Sequence, residues 1–189
     1  MTQAGVVADC DAMNFLLIHL GLREPVSAML VACDWRVVTL DAIYRREAQD
    51  ALRAQIDALK SVGRCELVDH PTRRQLEKKQ SSRWKQIDAL ATGRFHTVSQ
   101  NDRALLFEAA DRGILLVSSD GPLTRLAQER QQVVLDVLDV IEILRVRNHI
   151  DHSQSEAVFA REATRRQVDP EALRSTLDAR GRDHWPCAA

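Results

Sequence analysis

The 189 residues, 45% hydrophobic and with a formal net charge of -1, suffice for one domain with a proper core and are short for two. The near-neutral balance hides residues 73–94, which hold seven of the 26 basic residues and only two acids, so any polyanion contact is expected there. Four scattered cysteines exclude a disulfide-dense scaffold and a paired CxxC metal site, and no apolar run approaches the ~18–20 residues that span a bilayer. The default expectation is a cytoplasmic protein with reduced thiols and no membrane contact.

In chain order, GVVAD at 5–9 reads as a short apolar strand ending in an acid, and AMNFLLIHL at 12–20 as a helix. A second helix is expected over 24–33, followed by the β-branched strand RVVTL at 36–40. One continuous helix is expected over 42–60, then a weaker strand, CELV, at 65–68. The basic stretch after Pro71 reads as helical, with a break near Thr92 and Gly93. From Ser99 a helix runs through Arg112, with Gly113 as its stop and a strand over 114–118. Pro122 opens another helix, followed by a strand at 133–135 and a helix to about Val146. The tail, 151–189, adds two short helices, with Asp169 capping and Pro170 opening the second.

Strands that alternate with helices and lack a period-two polar face predict a parallel sheet of four to five strands with helices on both faces, a three-layer α/β/α domain over 1–150. The tail is expected to pack on that same domain. Ligands bind such sheets beyond the carboxyl ends of the strands.

Four acids stand out against that frame. Asp9 and Asp120 lie where strands run out, although helix capping also explains Asp120 ahead of Gly121 and Pro122, and Asp11 ahead of Ala12. Glu47 shares the small apolar face of its expected helix with Ile43, Ala51, Ala54 and Ala58, which predicts that it turns inward. Asp102 aligns with Leu105, Leu106 and Ala109, while the S-x-x-D spacing from Ser99 supplies a capping-box explanation for the same residue. Carboxylates gathered at one edge repel one another unless a proton or a hard cation neutralises them. An all-oxygen set suits Mg²⁺ or Mn²⁺, which activates water for phosphodiester hydrolysis.

The segments GVVADCDAMNFLL, VVTLDAIYRREA, NDRALLFEAADRGILLVSSD and LDVLDVIEILRV together resemble the PIN-domain family across most of residues 5–146. The resemblance implies a PIN-like fold and metal-dependent cleavage of RNA, with Asp9, Glu47, Asp102 and Asp120 binding the metal. It places Asp11, Ser118 and Ser119 in supporting positions. Many such bacterial proteins are toxins held silent by a small antitoxin, and PIN domains commonly form homodimers. RNA phosphates would then meet Arg73, Arg74, Lys78, Lys79, Arg83 and Lys85, with Trp84 stacking on an unpaired base; a solvated helix with one buried aromatic explains the same stretch.

Two rivals remain at this stage. Asp9-Cys10-Asp11 after an apolar strand resembles the nucleophile and general-acid pair of haloacid-dehalogenase-type phosphatases, with Thr39 as a phosphate-binding hydroxyl; Met13 and the lack of a second acid near Asp120 depart from that pattern. The other rival is a PIN fold kept as a catalytically silent nucleic-acid or protein binding module. Four carboxylates near one point favour the nuclease, whereas an outward-pointing Glu47 or Asp102 favours the module.

Overall fold

The computed structural model describes residues 5–69 and 82–179. The basic residues Arg73, Arg74, Lys78 and Lys79 lie outside them. Strand β1 (Gly5–Ala8) leads into α1 (Cys10–Asn14), which widens into a π-helical turn over Phe15–His19; α2 (Arg23–Ala32) and β2 (Arg36–Leu40) follow. Next come α3 (Asp41–Arg46), α4 (Asp50–Ser61), β3 (Cys65–Val68), α5 (Ser82–Gly93), α6 (Gln100–Arg112) and β4 (Leu115–Val117). The chain continues through α7 (Gly121–Glu129), β5 (Val134–Leu135), α8 (Val137–Val146), α9 (His152–Arg166) and α10 (Pro170–Ala179).

All pairings among these strands are parallel, and the five-stranded sheet has the order β3-β2-β1-β4-β5. One face is covered by α1, α2, α4 and α8, whose Met13, Leu30, Ile56 and Ile143 surround Val6, Val37 and Val117. The other is covered by α6, packed on β1, β2 and β4 and backed by α5 and α7. This is the three-layer α/β/α arrangement expected of the alternating pattern, and it is consistent with a PIN-like fold. Among the described residues no single helix is long and apolar enough to cross a membrane.

Local rules explain most boundaries. Ser99 and Asp102 close a capping box at the start of α6, and Gly113 ends that helix at φ 65°, a left-handed conformation that a residue with a Cβ adopts at a cost. Asp169 caps α10 as expected, accepting from the backbone N–H groups of Glu171 and Ala172 at 2.8 and 3.1 Å.

Three expectations are corrected. The helix over 42–60 is two helices, because Gln49 is extended at ψ 164° and begins α4 afresh. The first helix ends at Arg46, and beyond it Ala48 is buried at 2% exposure while Glu47 is exposed. Trp84 is 5% exposed and meets Phe107 edge-on at 5.9 Å between centroids; its indole completes the apolar stripe with Ile87 and Ala91 instead of facing an RNA base. Among the described cysteines, Cys10 and Cys65 are free and Cys33 is disulfide-bonded, where only unpaired thiols were expected.

Close approach of β1 to β2 generates the first prediction. A Cβ on Gly5 would lie 2.7 Å from the carbonyl oxygen of Arg36. Neither backbone can retreat without disturbing the register Gly5 to Arg36. Gly5→Ala is expected to lower stability by about 1–3 kcal/mol, measured by urea unfolding; an unchanged midpoint would show that the strands separate freely there.

Candidate active site at the carboxyl edge of the sheet

The chain steps outward from β1 to β2 and β3, then returns to β4 on the other side of β1, so strand order reverses between β1 and β4. In open parallel sheets that reversal opens a crevice beyond the strand ends. Nearly every strand here ends in an aspartate: Asp9 directly after β1, Asp41 after β2, Asp69 after β3, Asp136 after β5, and Asp120 three residues past β4.

These aspartates are treated differently by their surroundings. Asp41 pairs with Arg45 at 2.6 Å, and Asp136 accepts from the Arg166 guanidinium at 3.0 and 3.2 Å. Asp69 is exposed on the rim. Asp9, at the reversal, is 4% exposed and has no cationic partner among the described residues. Its Oδ1 caps α1 by accepting from the Ala12 N–H at 2.6 Å, and the buried Ser118 hydroxyl also bonds to it. Desolvation outweighs those bonds, and with added repulsion from Asp11 and Asp102 it raises the Asp9 pKa from 3.8 to about 6.

Asp120 stands half-buried at the start of α7. Its Oδ1 accepts from the Leu123 N–H at 2.6 Å, while its own N–H donates to Ser118 Oγ at 3.0 Å. The Ser118 hydroxyl therefore joins the Asp9 carboxylate to the backbone N–H of Asp120 at the reversal. Ser119 and Asp11 are exposed. Asp102 is half-buried at the first turn of α6, where one oxygen accepts from the Ser99 N–H at 3.2 Å and the carboxylate still acts on Asp9 through space.

Glu47, exposed at the end of α3, accepts a hydrogen bond from the Asn101 side chain. Its charge reaches Cys10, whose thiol is pushed up to about 11 by burial first and then by Glu47, Asp11 and Asp9. Fields from Glu47 and Asp102 thus both fall on the Asp9–Cys10 turn, but among the described residues no group of three His, Cys, Asp or Glu side chains is set to hold a metal ion. The expected inward turn of Glu47 is corrected accordingly. In donor chemistry the acids suit a hard divalent cation: all offer oxygen, and the buried member lacks a counter-charge.

Asn101 was not anticipated; the signal was its place in SQND beside Asp102. Of the expected nucleic-acid contacts that are described, Arg83 pairs with Asp111 at 3.3 Å and Lys85 is exposed. Thr39 is fully buried and its hydroxyl lacks a hydrogen-bond partner, so it does not present a phosphate-binding group to solvent as the phosphatase reading requires.

No protein-family model matches the chain, and no curated protein matches it. Among solved structures, a chain in the crystal structure of VapBC2 from Rickettsia felis bound to a DNA fragment from their promoter is similar with a TM-score of 0.48 and 9% identity, over 70% of this chain and 98% of that one. At that level of similarity the reading of the site rests on its own residues.

Burial of Asp9 gives a pH prediction. The folded protein holds this proton up to about pH 6, whereas an unfolded chain releases it near 3.8. Between those values the folded state binds the extra proton, so metal-free stability falls as pH rises, by roughly 3 kcal/mol across the window. Asp9→Asn keeps an oxygen for the Ala12 N–H and removes the charge. In EDTA it is expected to unfold at higher urea than wild type at pH 7 and to lose most of the slope between pH 4 and 6. An unchanged slope would place the desolvated charge elsewhere.

Proposed function

We propose that this protein is a metal-dependent ribonuclease that hydrolyses RNA phosphodiester bonds with Mg²⁺ or Mn²⁺ held by Asp9, Glu47, Asp102 and Asp120. The observation that carries the reading is the Asp9 carboxylate: buried, unpaired with any described cation, repelled by Asp11 and Asp102, and located where strand order reverses. With a pKa of about 6 the group is ionised at neutral pH at a cost in stability, and a cation beside it would relieve that cost. When bound, the ion supplies a polarised water and stabilises charge building on a phosphate oxygen.

The protein's own groups orient the ligands. Ala12 and Ser118 hold Asp9, Leu123 holds Asp120, and Ser99 holds Asp102. Asn101 keeps Glu47 beside the first turn of α6, and a bound ion would have to draw the four acids together. Arg83 and Lys85, with Arg73, Arg74, Lys78 and Lys79 from the segment outside the described residues, supply positive charge for the RNA backbone in this reading. An antitoxin partner, a homodimeric state, a cytoplasmic location, and a division into a 1–150 nuclease domain with a 151–189 helical extension complete the proposal on the PIN resemblance and on the sequence.

One observation favours a second reading, a silent binding module: Glu47 faces solvent, and among the described residues no three candidate ligands converge. Cleavage of a panel of structured and single-stranded RNAs separates the two. Wild type is expected to cut with Mg²⁺ or Mn²⁺ and to stop with EDTA, and Asp9→Asn and Asp120→Asn are expected to lose at least 100-fold in rate while remaining folded; Asn is itself a good N-cap, so α1 and α7 keep theirs. RNA that is bound but never cut under any metal condition would make the module the correct reading.

A further inference from the structure

We propose that α9, in the C-terminal tail, forms one wall of a groove that binds single-stranded RNA, with Phe15 and His19 stacking against a base and Arg161 contacting the neighbouring phosphate. The choice of RNA rests on the nuclease reading; the groove rests on four separate features.

The groove opens directly beside the candidate site. Asp11 and Asp120 line it together with Phe15 and His19 and with Arg161 and Arg165. Its volume of about 1120 Å³ exceeds the ~300–1,000 Å³ of ordinary small-ligand pockets. A chain molecule that must reach the acids from solvent has this route.

Its aromatic side is made by the π-helical turn, a deviation that occurs frequently at functional sites. Phe15 is half-buried and His19 exposed, with ring centroids 6.5 Å apart and planes inclined at 63°. Rings at a groove wall offer the sequence-tolerant stacking surface that Trp84, sealed in the core, does not.

The third feature is the state of the arginines. Arg165 is bonded to Glu162 at 2.7 Å, and Arg166 spans Glu162 and Asp136. Arg161 is exposed, has no carboxylate partner among the described residues, and lies 5.4 Å above the Phe15 ring. Stacked in that way, its planar guanidinium keeps its N–H donors for a phosphate and extends the aromatic surface.

Finally, the wall is anchored. Glu162, 1% exposed, binds two arginines of α9 itself, and Arg166 ties the helix end to Asp136 at the carboxyl end of β5. The tail helix is thereby held in place against the same sheet edge that carries Asp9 and Asp120. Acids and, among the described lining residues, one arginine without a carboxylate partner favour a polyanion, which in the nuclease reading would place one phosphate near the acids and the next on Arg161.

The test is fluorescence anisotropy of a labelled 12-nucleotide single-stranded RNA with the full chain in Ca²⁺, across a salt series, using Arg161→Ala, Arg161→Lys and Phe15→Leu, each checked by thermal unfolding. Arg161→Ala is expected to weaken binding about tenfold and to reduce the salt slope by about one. Arg161→Lys is expected to restore the slope but not the full affinity, and Phe15→Leu to weaken binding several-fold with the slope unchanged. Wild-type affinities and slopes in folded Arg161→Ala and Phe15→Leu overturn the proposal, as does failure of wild type to bind the RNA. Binding that needs Arg161 in a protein that never cleaves upholds the groove and removes the nuclease reading; Asp9-dependent cleavage with binding indifferent to Arg161 and Phe15 does the reverse.

Discussion

A carboxylate taken out of water without a counter-ion is the constraint around which this edge of the molecule is organised. Asp9 is buried because it follows the central strand of the sheet, which has β2 on one side and β4 on the other. Hydrogen bonds from Ala12 and Ser118 offset part of the desolvation, but not enough to return its pKa to the ordinary range. Natural folds rarely keep such a group unless it has work to do. Its neighbours confirm that the environment is specific, since the acids ending β2 and β5 each have an arginine.

Capping and metal binding are not rival explanations for these acids. Asp9 and Asp120 each use one oxygen as the N-cap of the helix that follows, and Asp102 uses one in the box that starts α6. A cap needs only one acceptor lone pair, and it fixes the side-chain rotamer without consuming the second oxygen. The helices therefore act as jigs: each N-terminus holds a carboxylate at the carboxyl edge, and its partial positive charge eases the crowding of like charges. Glu47 has no such jig. It follows the last turn of α3, near the negative end of that helix, and accepts from the Asn101 side chain.

How much could be read from sequence follows the range of the interactions involved. Strand positions, the Gly113 stop and the Ser99 box depend on residues a few positions apart, and the structure agrees with them to within a residue or two. The break after Glu47 was illegible because the apolar period from Ile43 to Ala58 runs through it; only the extended backbone at Gln49 shows that the period restarts. Trp84 was ambiguous for a related reason. Trp84, Ile87 and Ala91 form a helical stripe, yet the basic residues around it are what drew attention, and charge density in sequence says nothing about which way one aromatic faces. The π-helical turn at Phe15 and the approach of Arg161 to it join positions 146 apart in sequence and leave no local trace.

Charge in this chain is informative mainly where it is unbalanced. With 26 basic and 27 acidic residues, mutual pairing is the default, and it is what Arg45, Arg103, Arg112, Arg145, Arg165 and Arg166 do. Where such a pair is exposed, as Arg45 is, it contributes little to stability, and its chief effect is to cancel its partner's field. What remains after cancellation among the described residues is local: uncompensated negative charge at the β1–β4 reversal, and Arg161 of α9, which lines the groove beside it. Residual fields of opposite sign along one groove orient a polyanion, because phosphates are drawn to the arginine side and reach the acids only where a divalent cation reverses the local sign. In the proposed function, a helix beyond the sheet would in this way set the direction of approach to the acids gathered at its carboxyl edge.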